Sequence, residues 1–203
     1  MLCSGMLTFA LTGGIATGKS TVCRLIREEL PAARIFDSDA CVSSLLNGDP
    51  KVAAGVRELF GPRAVTTAGT VDRDVLRKIV FADPASRVLL EGLLHPRVRE
   101  DCLASRDLAG KEGAALFVAD IPLLFEKDFD FGQERSLISA TTRVTQVLRL
   151  KARNGYDSQL VESILAAQLP LEEKLRRADV VFWNEGPLDV LRSQVRRFSL
   201  SIP

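Results

Sequence analysis

Between Leu7 and Thr21 the chain reads LTFALTGGIATGKST, an apolar run that breaks into glycines and then into Lys-Ser-Thr at the head of a helical pattern. Gly13, Gly18, Lys19 and Ser20 fill the G-x-x-x-x-G-K-[ST] template. In such a loop, glycines let main-chain N–H groups close around phosphate oxygens with no Cβ in the way. Gly13, Gly14, Ile15, Ala16, Thr17, Gly18, Lys19, Ser20 and Thr21 are therefore expected to cradle the phosphates of a nucleotide. The loop ends at a helix N-terminus, whose unpaired N–H groups and dipole favour an anion. Lys19 would lie on the outer phosphates, and the Ser20 hydroxyl would take one Mg²⁺ position.

Two further carboxylate signals follow. Phe36-Asp37-Ser38-Asp39 stands where a strand turns into a helix. Asp39 can be read as the cap of a helix starting at Ala40, or as a base that orients an acceptor hydroxyl and takes its proton. Asp120 ends the apolar run Phe117-Val118-Ala119 in the manner of a Walker B aspartate, but its neighbour is Ile121 and not a second, water-activating carboxylate. Hydrolysis is disfavoured on that ground. The chain also has no N-K-x-D sequence for guanine recognition, which leaves a kinase with an organic acceptor.

Arg149 and Arg153, four apart in a helical stretch from Thr142, share one face. They are either solvated or brought over the phosphates, where guanidinium groups neutralise charge on a transferring phosphoryl. Asn154-Gly155 gives that stretch a turn. His95, the only histidine, precedes Pro96 and reads either as a structural boundary or as an acceptor contact.

Five short apolar runs are expected to carry these residues as buried parallel strands: Leu7–Leu11, Arg34–Phe36, Ala115–Ala119, Leu137–Ala140 and Val180–Trp183. Helical patterns separate them, which predicts an α/β three-layer fold with ligands at the carboxyl ends of the strands. The gap from Asp37 to Gly113 holds only helical or turn signals, at Ala40–Leu46, Lys51–Phe60, Asp72–Phe81 and Ser86–Arg106, with a turn-rich bridge at Gly61–Gly69. A helical lobe of about residues 40–110, inserted at the ligand edge and covering a second substrate, is the expectation, with ordinary helical packing as the alternative. Pro170 marks a helix start, and a last amphipathic helix, Leu188 to about Phe198, carries Val190, Leu191, Val195 and Phe198 as its apolar stripe.

The 203 residues suit one domain, and 46% hydrophobic content supplies a core. With 27 Lys+Arg against 26 Asp+Glu, no global basic field points to nucleic acid or an anionic membrane. Cys3, Cys23, Cys41 and Cys102 form no C-x-x-C pair and read as reduced thiols of a cytoplasmic protein. No run approaches a membrane span or a cleavable signal, and Met6 offers a second start besides Met1.

Taken in order, these landmarks resemble the dephospho-CoA kinases from Phe9 to about Arg197. The matching pieces are Ala10 to Ile15, Gly18 to Val22, Asp37 to Ala40, Asp72-Arg73 with Leu76, Leu94-His95-Pro96, and Pro122 to Glu126. Ile164 to Gln168, Glu173-Lys174, Ala178-Asp179 and Asn184-Glu185-Gly186 continue the set. The resemblance implies a P-loop fold with a five-stranded parallel sheet, an inserted acceptor-binding lobe and a short helical lid at about 142–170. It implies transfer of the γ-phosphate of ATP, with Mg²⁺, to the 3′-hydroxyl of dephospho-CoA, the final step of coenzyme A synthesis. Asp39 is then the base, Lys19 and Arg149 act on the transferring group, and Arg153, Asn184 and Gly186 complete the ATP site. Thr12, Asp37, Asp39, Arg73, His95, Pro122 and Leu123 would face dephospho-CoA. A monomer is expected.

Three stretches depart from the family pattern: Ala16-Thr17 where glycine and serine are common, Ser38 in place of alanine, and Ser139-Ala140 where an aspartate often ends the strand. Ala16 must then adopt a loop conformation that tolerates a Cβ. Another small-molecule P-loop kinase, for a nucleoside, nucleotide or sugar, and a non-catalytic ATP sensor are the competing readings.

Overall fold

The computed structural model describes residues 5–127 and 129–203, so Met1 and Cys3 lie outside the described residues. The chain divides into two compact units, one of residues up to Phe36 together with Ser105–Pro203, the other Asp37–Ala104.

The first unit is built on β1 (Leu7–Gly13), β2 (Ala33–Asp37), β3 (Leu116–Asp120), β4 (Arg135–Ala140) and β5 (Val180–Trp183), in the order β2-β3-β1-β4-β5. β1 runs parallel to β3 and β4, and β4 to β5, with Leu11 opposite both Asp120 and Leu137. All five expected strands are present, and β1 runs two residues further than its apolar core, to Gly13.

Successive side chains of a strand point to opposite faces. Phe9, Leu11, Val118, Leu137 and Phe182 accordingly share one face, against Val22, Leu25 and Ile26 of α1 (Lys19–Glu29) and Leu191, Val195 and Phe198 of α9 (Leu188–Ser199). Phe198 meets the ring of Phe182 edge-on at 5.5 Å and that of Phe9 at 5.9 Å. Each such side chain contributes about 1.5–3 kcal/mol by leaving water. On the opposite face Ala10, Phe117, Ala119 and Ile138 are also buried, and Phe117 packs edge-on against Phe131. A sheet covered on both faces is why its strands read as unbroken apolar runs.

One expectation for α9 needs correction. Val190 is half exposed, while Leu191, Val195 and Phe198 form the buried stripe. The helix turns by about 100° per residue, so Val190 cannot face the sheet together with Leu191 and Val195. Gln194 covers the open edge of β5: its side-chain amide accepts from Trp183 N–H at 2.8 Å and donates to Trp183 C=O at 2.9 Å.

Between β4 and β5 lie α6 (Arg143–Asn154), α7 (Ser158–Ala166) and α8 (Leu171–Arg177). Thr142 caps α6 by accepting from Thr145 N–H, and Gly155 ends it at φ 65°, a left-handed conformation suited to glycine. Leu150, Val161 and Leu165 of α6 and α7 form a small core of their own, joined by Val147, Tyr156 and the P-loop residues Ile15 and Ala16.

The second unit holds α2 (Ser38–Gly48), α3 (Pro50–Phe60), a 3₁₀ turn at Pro62–Ala64, α4 (Arg73–Ala82) and most of α5 (Pro84–Lys111). Asp37, Asp49 and Asp72 cap α2, α3 and α4 by accepting main-chain N–H groups, and Asp83 does the same for Ala85 and Ser86. Asp49 and Asp83 each precede a proline, which takes the first helical position without losing a hydrogen bond. His95-Pro96 is not a boundary: α5 runs through it. The acceptor that Pro96 leaves without its helical donor is the carbonyl of Gly92, an exposed residue open to water.

Candidate active site

The P-loop leaves the carboxyl end of β1 and enters α1 at Lys19. Every carbonyl from Gly14 to Thr17 is tied by a hydrogen bond. Gly14 C=O accepts from Thr17 Oγ1 at 2.8 Å, Ile15 C=O from Gln146 Nε2 at 2.7 Å, and Ala16 C=O from Arg149 Nη1 at 3.2 Å. Thr17 C=O accepts from Asn184 Nδ2 at 2.7 Å, Ser139 Oγ at 3.0 Å and Arg149 Nη1 at 3.4 Å. The C=O of one residue and the N–H of the next point opposite ways across a planar peptide. The bonds to Ile15 and Thr17 carbonyls therefore turn the N–H groups of Ala16 and Gly18 the other way. Lys19 and Ser20, in the first turn of α1, add two N–H groups with no intrahelical acceptor. Ile15 N–H is engaged elsewhere, donating to Gln168 Oε1 at 3.0 Å.

Two loop positions carry the conformational cost. Gly18, the N-cap of α1, sits at φ 92°, and a Cβ there would lie 2.0 Å from Asn184 Nδ2. Only glycine fits. Ala16 is left-handed as well, at φ 60°, the single non-glycine residue with positive φ among the described residues. Its methyl group packs on the Leu150, Val161 and Leu165 core, which gives the strained residue a reason to keep its Cβ.

Lys19 Nζ forms an ion pair with Asp120 Oδ1, and Cys23 Sγ donates to Asp120 Oδ2 at 3.4 Å. Burial, followed by the adjacent Asp120 carboxylate, pushes the Cys23 thiol well above its ordinary range, which keeps it protonated and unreactive. Cys41, pushed up to about 12 by burial and by Asp101, is protonated for the same reasons. Cys23, Cys41 and Cys102 are all buried and in no disulfide.

The structure gathers Gly13 to Ser20, Arg149 and Asn184 around one loop. Arg149 Nη2 also donates to Asn184 C=O at 3.0 Å, whereas Arg153, one turn further on, is exposed. Thr21 begins the helix ladder by donating its N–H to Gly18 C=O at 2.9 Å. Gly186 follows Asn184 in a left-handed turn at φ 83°. Thr12 is 1% exposed and its hydroxyl donates to Pro122 C=O at 3.1 Å, so it ties the end of β1 to the loop that holds Pro122 and Leu123.

Within the second unit, Asp37 Oδ1 accepts from Ala40 N–H at 2.9 Å and is the cap of α2, so the capping reading of Asp39 does not hold. Asp39 stands in the first turn of α2 and is exposed. Arg73 Nη1 donates to Ser43 Oγ at 2.9 Å and Asn47 Oδ1 at 3.4 Å, joining α4 to α2, and His95 is exposed on α5.

Sequence reasoning gave no site role to Gln146, to Gln168, which stood only among the matching pieces, or to Ser139, which stood only among the departures. The signal for part of this was present: Thr142, Thr145, Gln146 and Arg149 fall at i, i+3, i+4 and i+7, a polar stripe on one face of α6. Glu126 and Lys174 make a buried ion pair at 2.6 Å, and Asp179 accepts from Ser136 N–H at 2.7 Å. These resemblance residues join the post-β3 loop to α8 and β4 to the start of β5.

A loop of this build at the end of the central strand, with its lysine set beside Asp120 at the end of β3, defines a P-loop phosphotransferase. A family model described as dephospho-CoA kinase matches residues 7–189. The chain belongs to the dephospho-CoA kinase family, and with it to the ATP-dependent kinases. A dephospho-CoA kinase of Symbiobacterium thermophilum is 42% identical over 191 residues, covering 94% of this chain and 79% of its own length. The crystal structure of TT1252 from Thermus thermophilus is similar at a TM-score of 0.79 and 32% identity, covering 98% of this chain and 100% of that one. A dephospho-CoA kinase from Campylobacter jejuni, at 23% identity, shares the fold with a TM-score of 0.65 and 95% of each chain covered.

Proposed function

We propose that the site works as follows in the reaction of its family. The protein transfers the γ-phosphate of ATP to the ribose 3′-hydroxyl of dephospho-CoA, giving ADP and coenzyme A, the final step of coenzyme A synthesis. The observation that supports this reading is the run of tied carbonyls from Gly14 to Thr17, which fixes the loop backbone so that the N–H groups of Ala16 and Gly18 face away from these braces. Such preorganisation costs nothing at the moment of reaction.

Lys19 and the N–H groups of Ala16, Gly18, Lys19 and Ser20 hold the phosphates. Arg149, lying against the carbonyls of Ala16, Thr17 and Asn184, brings a second fixed positive charge to the loop, and Arg153 a more exposed one. Asn184 and Gly186 border the purine. Asp39 accepts the proton of the 3′-hydroxyl as its oxygen bonds to the γ-phosphorus and the bond to the β-phosphate oxygen breaks. Thr12, Asp37, Arg73, His95, Pro122 and Leu123 bind dephospho-CoA, with about residues 40–110 as the acceptor lobe and about 142–170 as the lid.

Among the described residues no group of three or more His, Cys, Asp or Glu side chains could hold a metal. That fits Mg²⁺ in a kinase, where one or two protein oxygens suffice and phosphates and water complete the shell. The exposed Ser20 hydroxyl would hold it. The chemistry it would supply there is neutralisation of phosphate charge. No described helix is long and apolar enough to cross a membrane. We read the protein as a cytoplasmic monomer whose partners are small molecules and not nucleic acid.

Incubating the purified protein with ATP, Mg²⁺ and dephospho-CoA should yield coenzyme A by mass. No product above a control without protein would refute the assignment. Asp39→Asn should lose at least about 100-fold in kcat while keeping ATP binding, as loss of a general base does. Full rate in that variant would remove Asp39 from the mechanism.

A further inference from the structure

Glu185 follows Asn184 at the end of β5, and four donors converge on its carboxylate. Thr142 N–H reaches Oε2 at 3.2 Å and Thr142 Oγ1 reaches Oε1 at 2.9 Å. The hydroxyls of Thr141 and Thr145 donate to Oε2 and Oε1. The carboxyl is accordingly held down to about 2, first by Thr141 and then by Thr145.

The donors belong to the end of β4 and the first turn of α6. Thr145 is one turn before Arg149 on the same face of α6, and Gln146 lies between them on that face, reaching Ile15 C=O. Arg149 in turn bonds Ala16, Thr17 and Asn184 carbonyls. The neighbouring residue closes the circuit, since Asn184 Nδ2 bonds Thr17 C=O while Asn184 C=O accepts from Arg149. The loop after β5 thus grips the P-loop through Asn184 and the root of α6 through Glu185. A helix held at its first turn has little freedom to slide or rotate at its second.

We propose that Glu185 is a positioning residue for phosphoryl transfer: by binding Thr141, Thr142 and Thr145 it fixes the root of α6 and thereby sets the reach of Arg149 onto the P-loop. The proposal rests on the reading that Arg149 acts in the transfer. The Glu185 carboxylate is committed to Thr141, Thr142 and Thr145. Its effect passes through Arg149, which makes it separable from a plain contribution to stability.

The test is a double-mutant cycle in the full chain, with kcat and KM for ATP measured at saturating dephospho-CoA and melting temperature as a control. Glu185→Gln keeps the shape but removes the charge and half the acceptor capacity. It should lower kcat about 10-fold and leave KM for ATP within about 2-fold, the pattern of an interaction realised in the transition state. In an Arg149→Ala background the same substitution should change kcat by less than about 2-fold, because coupled residues are not additive. Thr145→Val should repeat the loss and Thr145→Ser should recover it. Full rate in Glu185→Gln, or losses that multiply with Arg149→Ala, would overturn the role of Glu185 alone. Full rate in Arg149→Ala would overturn both this proposal and the reading of Arg149 beneath it.

Discussion

Lys19 at the start of α1 is ion-paired with Asp120 at the end of β3, 101 residues further along, with the two side chains 18% and 10% exposed. The lysine that phosphates attract is therefore already neutralised, and ATP must compete with a carboxylate for it. In Asp120→Asn the ammonium loses its partner while staying largely buried, which should cost about 2–3 kcal/mol, less than a fully buried pair because Lys19 keeps some water. The released lysine should then gain more from phosphate. With a chelator present to remove metal, the rise in melting temperature on adding ATP should be larger for Asp120→Asn than for the parent. An equal or smaller rise would show that Lys19 is not held back by Asp120.

Ala16 tests how a strained loop residue is retained. Its left-handed backbone costs about 1–2 kcal/mol. Ala16→Gly removes that strain, but forfeits roughly 0.8 kcal/mol of methyl burial against the α6–α7 core and adds about 0.5–1 kcal/mol of unfolded-state entropy. The terms cancel, so urea unfolding should change by less than about 1 kcal/mol. The amide of Ile15, bonded to Gln168, should nevertheless exchange faster with solvent, because one side of its packing is gone. Ala16→Val is the contrasting variant: a β-branched residue in this conformation should cost more than about 2 kcal/mol. A valine variant as stable as the parent would contradict the strain at residue 16.

What the sequence made legible was what local chemistry encodes. The strands stood out because both faces of the sheet are buried, and the loop because Gly18 must be left-handed beside Asn184. The braces behind the loop were not legible. Gln168 and Gln146 meet Ile15 across 153 and 131 residues, and nothing local distinguishes a glutamine that faces a carbonyl from one that faces water. The polar stripe on α6 reads as a solvent face until the structure shows Val144 and Leu148 outside it, 69% and 61% exposed. At Pro96 tertiary packing overrode a propensity, since Leu94 and Val98 on either side are buried. Asp37, and not Asp39, caps α2, a two-residue shift within the usual ambiguity of a helix start.

Acid should weaken the fold in a defined window. Glu185 is held at about 2 against an ordinary 4.5, and Asp49 and Asp83 lie below their ordinary 3.8, chiefly through Val52 N–H and the Ser86 hydroxyl. A carboxyl whose folded value is depressed binds fewer protons folded than unfolded, so its stabilisation is complete above the unfolded value and is lost as pH falls through the folded one. For Glu185 that loss runs from about pH 4.5 down to about pH 2. Urea unfolding across this range should give a shallower pH dependence for Glu185→Gln than for the parent. Parallel curves would mean that the Thr141, Thr142 and Thr145 bonds do not persist in solution.

Lys174 is 2% exposed, and its only described counter-charge is Glu126, 2.6 Å away on the loop after β3. Glu126 Oε1 also accepts from Leu169 N–H at 3.2 Å, while its Oε2 is buried without a hydrogen-bond partner, and the lysine's approach is close in distance without hydrogen-bond geometry. An ion pair satisfied this poorly contributes little net stability, because desolvation of both charges offsets their attraction. Removing one charge is another matter. Lys174→Met strands the carboxylate and should cost about 3–5 kcal/mol, whereas Lys174→Met with Glu126→Gln, which keeps an acceptor for Leu169 N–H, should recover most of the loss. Equilibrium urea unfolding of the three proteins decides it. If the double variant is as unstable as the single one, the pair is a net stabiliser and its joining of the post-β3 loop to α8 is worth more than the desolvation it suffers.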